Sequence, residues 1–124
     1  MVELALGWDL EVERGPDWLF VRVERADACD ESPQLAEKVW ELMQQQFMSR
    51  VVLELDHLQT ISSYVIGQLV LLHKRVTTNG GLIRLSGLSQ GTYEVLEIAR
   101  LADRFPRYRD RTEAVRGYRP MQPR

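Results

Sequence analysis

The segment RVVLELDHLQTISSYVIGQLVLLHKRVTTNGGLIRLSGL, from Arg50 to Leu88, constrains the fold more tightly than any other part of the chain. Its opening, RVVLEL, is rich in β-branched and aliphatic residues and too short for a helix. That predicts a central strand buried on both faces. From Val65 the apolar positions Val65, Ile66, Leu69, Val70, Leu72 and Val76 keep helical spacing, and Asn79-Gly80-Gly81 ends the run with residues that tolerate positive φ. LIRLSGL then reads as a second strand. A strand, a helix and a strand in immediate succession place the chain in the α/β class.

Upstream, alternating apolar residues in DLEVE (Leu10, Val12) and WLFVRV (Leu19, Val21, Val23) predict two strands joined by the turn RGPD. Asp30 and Ser32 just before Pro33 signal a helix start, and Leu35, Val39, Leu42 and Met43 carry that helix from Pro33 to Gln46. Downstream, Ser89 can cap a third helix containing Tyr93, Leu96 and Leu101, which Pro106 stops. PRYRD reads as a short edge strand, and Thr112 to Tyr118 as a last helical turn or two. The sum is a mixed β-sheet of four to five strands backed mainly on one side by about four helices. Residues 1–117 form one domain, and 118–124 a frayed tail.

With 44% apolar residues in 124, the chain can bury one core. The net charge of −2 is nearly neutral, but it is unevenly spread: residues 1–60 carry 13 acids and 5 bases, residues 61–124 carry 5 acids and 11 bases. The basic excess gathers at Arg100, Arg104, Arg107, Arg109, Arg111, Arg116, Arg119 and Arg124, interleaved with Phe105, Tyr108 and Tyr118. Asp103, Asp110 and Glu113 interrupt it, so it reads as a solvated face rather than a nucleic-acid surface. Cys29 is the only cysteine, which excludes an internal disulfide and a thiolate-built zinc site, and reads as an incidental thiol. The N-terminus has no basic region of a signal peptide, and the longest apolar run, Leu69 to Leu72, falls far short of the roughly 20 residues of a membrane span. A cytoplasmic location is expected.

No GxSxG, glycine-rich phosphate loop or HExxH is present, so the usual supports of hydrolase, NTPase and zinc-protease chemistry are missing. No catalytic, cofactor-binding or metal-binding residues are assigned. A serine enzyme using Ser63 with His57, oriented by Asp56, stays open as a second alternative; His73 flanks the serines on the other side. Ser62 or Ser63 suffices as the N-cap of the central helix. The same place leaves a hydroxyl at the positive end of a helix, where a phosphate is electrostatically favoured.

The stretch VVLELDHLQTISSYVIGQL resembles the STAS family, shared by anti-sigma-factor antagonists and the cytoplasmic ends of sulfate-type transporters. It aligns without gaps to the antagonists' strand, turn and D-S-S/T-G-L-G motif. Ser62 falls at the motif's Asp, Ser63 at the serine that family kinases phosphorylate, Tyr64 at the second hydroxyl, Val65 at the first Gly, Ile66 at the Leu and Gly67 at the last Gly. NGGLIRLSGLS and YEVLEIARLADRFPRY continue the likeness, which covers roughly residues 9–117.

The resemblance implies an anti-sigma-factor antagonist that acts by binding. Its partner would be an anti-sigma factor that is also a histidine-kinase-like ATPase, and phosphorylation of Ser63 would release it. The partner surface would comprise Asp56, His57, Gln59, Ser62, Ser63, Tyr64 and Val65, while Gly67 reads as permitting close packing. Two departures stand out: Ser62 replaces the motif's acid, and Tyr64-Val65 replace a small pair. The alternative is an unphosphorylated, stand-alone STAS module of a transport or other signalling complex.

Overall fold

Trp8–Arg14 and Leu19–Arg25 form an antiparallel hairpin in which every residue from Trp8↔Arg25 to Arg14↔Leu19 is paired. Its turn is closed by a bond from Gly15 N–H to the Trp18 carbonyl (2.8 Å). The computed structural model describes residues 2–26, 29 and 33–117. In chain order the elements are β1 (Val2–Ala5), β2 (Trp8–Arg14), β3 (Leu19–Arg25), α1 (Leu35–Gln45), β4 (Arg50–Glu54), α2 (Ser63–Thr78), β5 (Leu82–Ser86), α3 (Gln90–Ile98) and α4 (Arg111–Arg116). One sheet runs β1-β2-β3-β4-β5, antiparallel across β1, β2 and β3, and parallel across β3, β4 and β5. The expected mixed sheet is therefore present, and RVVLEL is an interior strand with a parallel neighbour on each side.

The alternation of β3 and β4 divides the molecule in two. Leu19, Val21, Val23, Val51 and Leu53 face a large core with Leu35, Val39, Leu69, Leu72 and Leu96 from α1, α2 and α3. Phe20 and Val52 face the opposite side, where a small cluster of Trp18, Tyr108 and Ala114 seats α4. Arg111 clamps α4 to that face. It bonds the buried Glu54 carboxylate through two nitrogens (2.7 and 2.8 Å), reaches Glu13 at 3.0 Å, and stacks 4.2 Å from the Phe20 ring centre. Those contacts raise the Arg111 pKa further, chiefly through the hydrogen bond to Glu54.

Four expectations need correction. The fifth strand is β1, where Val2 and Leu4 alternate with Glu3 and Gly7 (φ 76°) makes the turn; PRYRD contributes only an isolated bridge, Ser86↔Tyr108. α1 begins at Leu35 with Gln34 as an N-cap whose side chain makes no capping bond. Its Ala36 N–H is taken instead by Gln68 Oε1 of α2, at 2.9 Å. α3 stops at Ile98, not at Pro106, because Arg100 turns left-handed (φ 61°) and Leu101 N–H bonds back to the Leu96 carbonyl (2.8 Å). α4 spans Arg111–Arg116 with Asp110 as its N-cap, one residue earlier than expected. Asp30, Ser32 and the tail 118–124 lie outside the described residues.

Candidate functional site: the entrance to α2

Beyond Glu54 the chain turns sharply, with Leu55 N–H bonded to the Ser86 carbonyl (2.9 Å) and Leu58 N–H to the Leu55 carbonyl (3.0 Å). Leu55 and Leu58 are buried, so Asp56 and His57 between them point outward. The turn is braced by Gly87 (φ 73°), where an added Cβ would stand 2.6 Å from the Asp56 Cβ; any side chain there would displace the loop. Ser89 does two jobs at the neighbouring helix. Its Oγ caps α3 by accepting from Thr92 N–H (3.1 Å) and donates to the Gln59 carbonyl (2.6 Å), tying the loop to α3.

Ser62 has extended backbone angles (φ −73°, ψ 164°), and its Oγ accepts from Val65 N–H at 3.2 Å. It is the N-cap. Ser63 is the first helical residue, exposed, and its hydroxyl has no hydrogen-bond partner among the described residues. The two serines thus divide the roles that the sequence left open between them: one closes the helix and the other faces solvent. Gln59 is exposed as well, Tyr64 is half-buried against the core, and Val65 is only 2% exposed. Val65 therefore shapes the site from beneath and presents almost no surface of its own.

The charges beside the turn come partly from β3. His57 Nδ1 lies 2.7 and 2.8 Å from the two Glu24 carboxylate oxygens, and its Nε2 lies 3.7 Å from Asp56 Oδ2. The hydrogen bond to Glu24, followed by that carboxylate's charge, raises the His57 pKa above 6.5. Arg22 Nε stands 3.6 Å from Asp56 Oδ1 and has no hydrogen-bond partner among the described residues, so that pair is held by charge alone. Arg22 and Glu24 were absent from the sequence-based site. Their signal was the outward alternation of WLFVRVER, but which loop they would meet depended on the β3/β4 pairing.

His57 is thus engaged with Glu24 rather than with a serine. His73 packs edge-on against Phe105 (5.2 Å), and burial followed by the Arg104 charge lowers its pKa. Neither imidazole is arranged to activate Ser63. A side chain added at Gly67 would meet nothing within 4 Å among the described residues, so the close packing expected of that glycine is not made by them. A cavity of about 430 Å³, lined by Trp40, Met43, Met48 and Val76, lies at the other end of β4 and α2 and does not touch this site. Phe105 and Tyr108, from the arginine-rich segment, are buried and offer no face for a base to stack on.

A profile of the STAS domain matches residues 9–114, which includes all of β3, β4, α2, β5 and α3. The chain belongs to the STAS domain family. Solved structures agree on the STAS fold. The solution structure of TM1081 aligns with a TM-score of 0.72 at 17% identity, covering 85% of this chain and 84% of that one. The crystal structure of TM1081, a candidate anti-sigma factor antagonist from Thermotoga maritima, gives 0.70 at 16% identity over 87% and 92%. RsbS from Moorella thermoacetica, in a form with one serine replaced by glutamate, gives 0.72 at 13% identity over 87% and 92%. At such identities the likeness concerns the fold alone. No curated protein matches the sequence. No described helix of this STAS domain is long and apolar enough to cross a membrane.

Proposed function

We propose that this STAS domain is a cytoplasmic anti-sigma-factor antagonist that binds a histidine-kinase-like anti-sigma factor around the entrance to α2 and is switched by phosphorylation of Ser63. The observation that carries this reading is the division of labour between the serines. Because Ser62 already caps α2, a phosphate on Ser63 leaves the cap intact and sits at the positive end of the helix. It adds about −1.5 to −2 charge to an exposed surface, enough to oppose a contact built for a neutral hydroxyl. Asp56, His57, Gln59, Ser62 and Tyr64 flank that hydroxyl on the same loop and helix entrance, with Val65 supporting them. The Asp-to-Ser change at Ser62 removes an acceptor that the family motif offers a kinase, so the cognate kinase would recognise a hydroxyl there.

The test is intact-mass analysis and peptide mapping after incubation with each histidine-kinase-like anti-sigma factor of the source organism and ATP. One phosphate, on Ser63, is expected. Modification at Ser62 or Thr60 instead would overturn the register. No modification with any of them would favour the unphosphorylated module of another complex. In titration calorimetry Ser63→Asp should weaken binding at least tenfold while circular dichroism shows an intact fold, and Ser63→Ala should bind like the parent.

A further inference from the structure

α1 and α2 end beside the starts of β4 and β5, and the cavity of about 430 Å³ lies between them. Its floor is buried and apolar: Met43 and Met48 from the end of α1 and the connection to β4, and Val76 from the last turn of α2. Trp40, half-buried, forms a wall. Gly81 keeps the base closed, because an added Cβ there would run into the Ser49 carbonyl. None of the described residues lining the cavity is charged. Its volume lies in the range of small-molecule sites, which are walled mainly by apolar and aromatic side chains.

Two features at the rim are not required by the fold. Phe47 takes the left-handed conformation (φ 55°) that closes α1, a place where glycine is the easier residue and where α2 uses one, Gly80. The Phe47 side chain is nevertheless 91% exposed, so it packs against almost nothing in the chain. Arg75 rests with its guanidinium 4.8 Å from the Trp40 ring centre, and no acid among the described residues pairs with it. Arg22, Arg109 and Arg111 all have carboxylate partners. Contact with the tryptophan fixes the guanidinium at the rim while its N–H groups stay available to an anion.

We propose that this cavity binds a small organic acid with one carboxylate on an apolar body. The body lies on Met43, Met48 and Val76 beside Trp40, the carboxylate meets Arg75, and the Phe47 ring folds over the opening. A single unpaired guanidinium above an uncharged lining suits one negative charge rather than the several of a nucleotide. An exposed ring in a costly backbone position fits a cover whose contacts arrive with the ligand. The cavity is at the opposite end of α2 from Ser63, so the site does not rest on the function proposed for that serine.

The experiment titrates the full chain with 4-phenylbutyrate and octanoate, and with their neutral counterparts 4-phenylbutanol and 1-octanol, followed by amide NMR and tryptophan fluorescence. At least one acid should bind with a Kd below about 1 mM and about tenfold more tightly than its alcohol, shifting the amides of residues 40–49 and 75–81. Arg75→Gln should erase the preference for the acid without weakening the alcohol. Phe47→Gly should raise the melting midpoint by about 2–5 °C yet weaken acid and alcohol alike. The proposal is overturned if neither acid binds in that range, if acid and alcohol bind equally, or if the shifts fall elsewhere. Unchanged affinity in Phe47→Gly would remove the cover from it. Sedimentation showing a dimer that Phe47→Gly dissociates would also overturn it, because the occupant would then be a second copy of the chain.

Discussion

Arg100 and Phe47 occupy positions that glycine usually fills. Each is the left-handed residue after a helix (φ 61° and 55°), followed by an N–H that bonds five residues back: Leu101 to Leu96 after α3, Met48 to Met43 after α1. α2 ends identically, with Gly80 (φ 79°) in that place. A residue with a Cβ costs about 1–2 kcal/mol in this conformation. Arg100→Gly should therefore stabilise the fold by about 1 kcal/mol in urea unfolding; a loss of stability would mean that the exposed arginine contributes contacts of its own. His57 makes a different claim. Its folded pKa is raised, so the stability it adds is fully present below pH 6.5 and is lost as pH rises through the folded pKa. The stability gap between parent and His57→Ala should be widest in acid and narrow towards alkaline pH, and a gap independent of pH would remove the role assigned to Glu24.

The helix starts show what a linear pattern can and cannot reveal. Ser62, Ser89 and Asp110 each accept from the N–H three residues on, so the caps of α2, α3 and α4 are local. Ser89 was legible from sequence for that reason, and the cap of α2 was narrowed to Ser62 or Ser63. α1 is capped by a residue 32 positions away, Gln68, which no local pattern announces. Gln68→Leu should preserve the packing of α2 while leaving Ala36 N–H unpaired, costing about 1–2 kcal/mol by denaturant unfolding. No cost would mean that water serves the N–H equally well. The same distinction governs the candidate site. Ser62, Ser63 and their loop could be placed from the order of strand, turn and helix, whereas Glu24 and Arg22 enter only through the parallel pairing of β3 with β4. β1 was missed because four residues are too few for alternation to stand out.

At the scale of the whole molecule, the uneven charge of the sequence becomes an attraction. Arg111, from the basic half, closes on Glu13 and Glu54 from the acidic half, and with Ala114 packed against Trp18 and Val52 this holds α4 to the second face of the sheet. The basic run therefore serves in part as the fold's own counterion, which composition could not show. The order of strands has a further consequence. Space follows sequence without exception in β1-β2-β3-β4-β5, so no strand has to insert between two that are already paired. The hairpin of β2 and β3 needs only a short loop to close, while β4 and β5 must each wait for an intervening helix. During synthesis the sheet can grow at one edge in the order the ribosome releases it, each finished strand serving as the template for the next. The turn that leads to Ser63 takes its final shape only when Ser86 and Gly87, at the end of the last strand, arrive to hold it. A chain interrupted before that point would carry the serine without the surface around it.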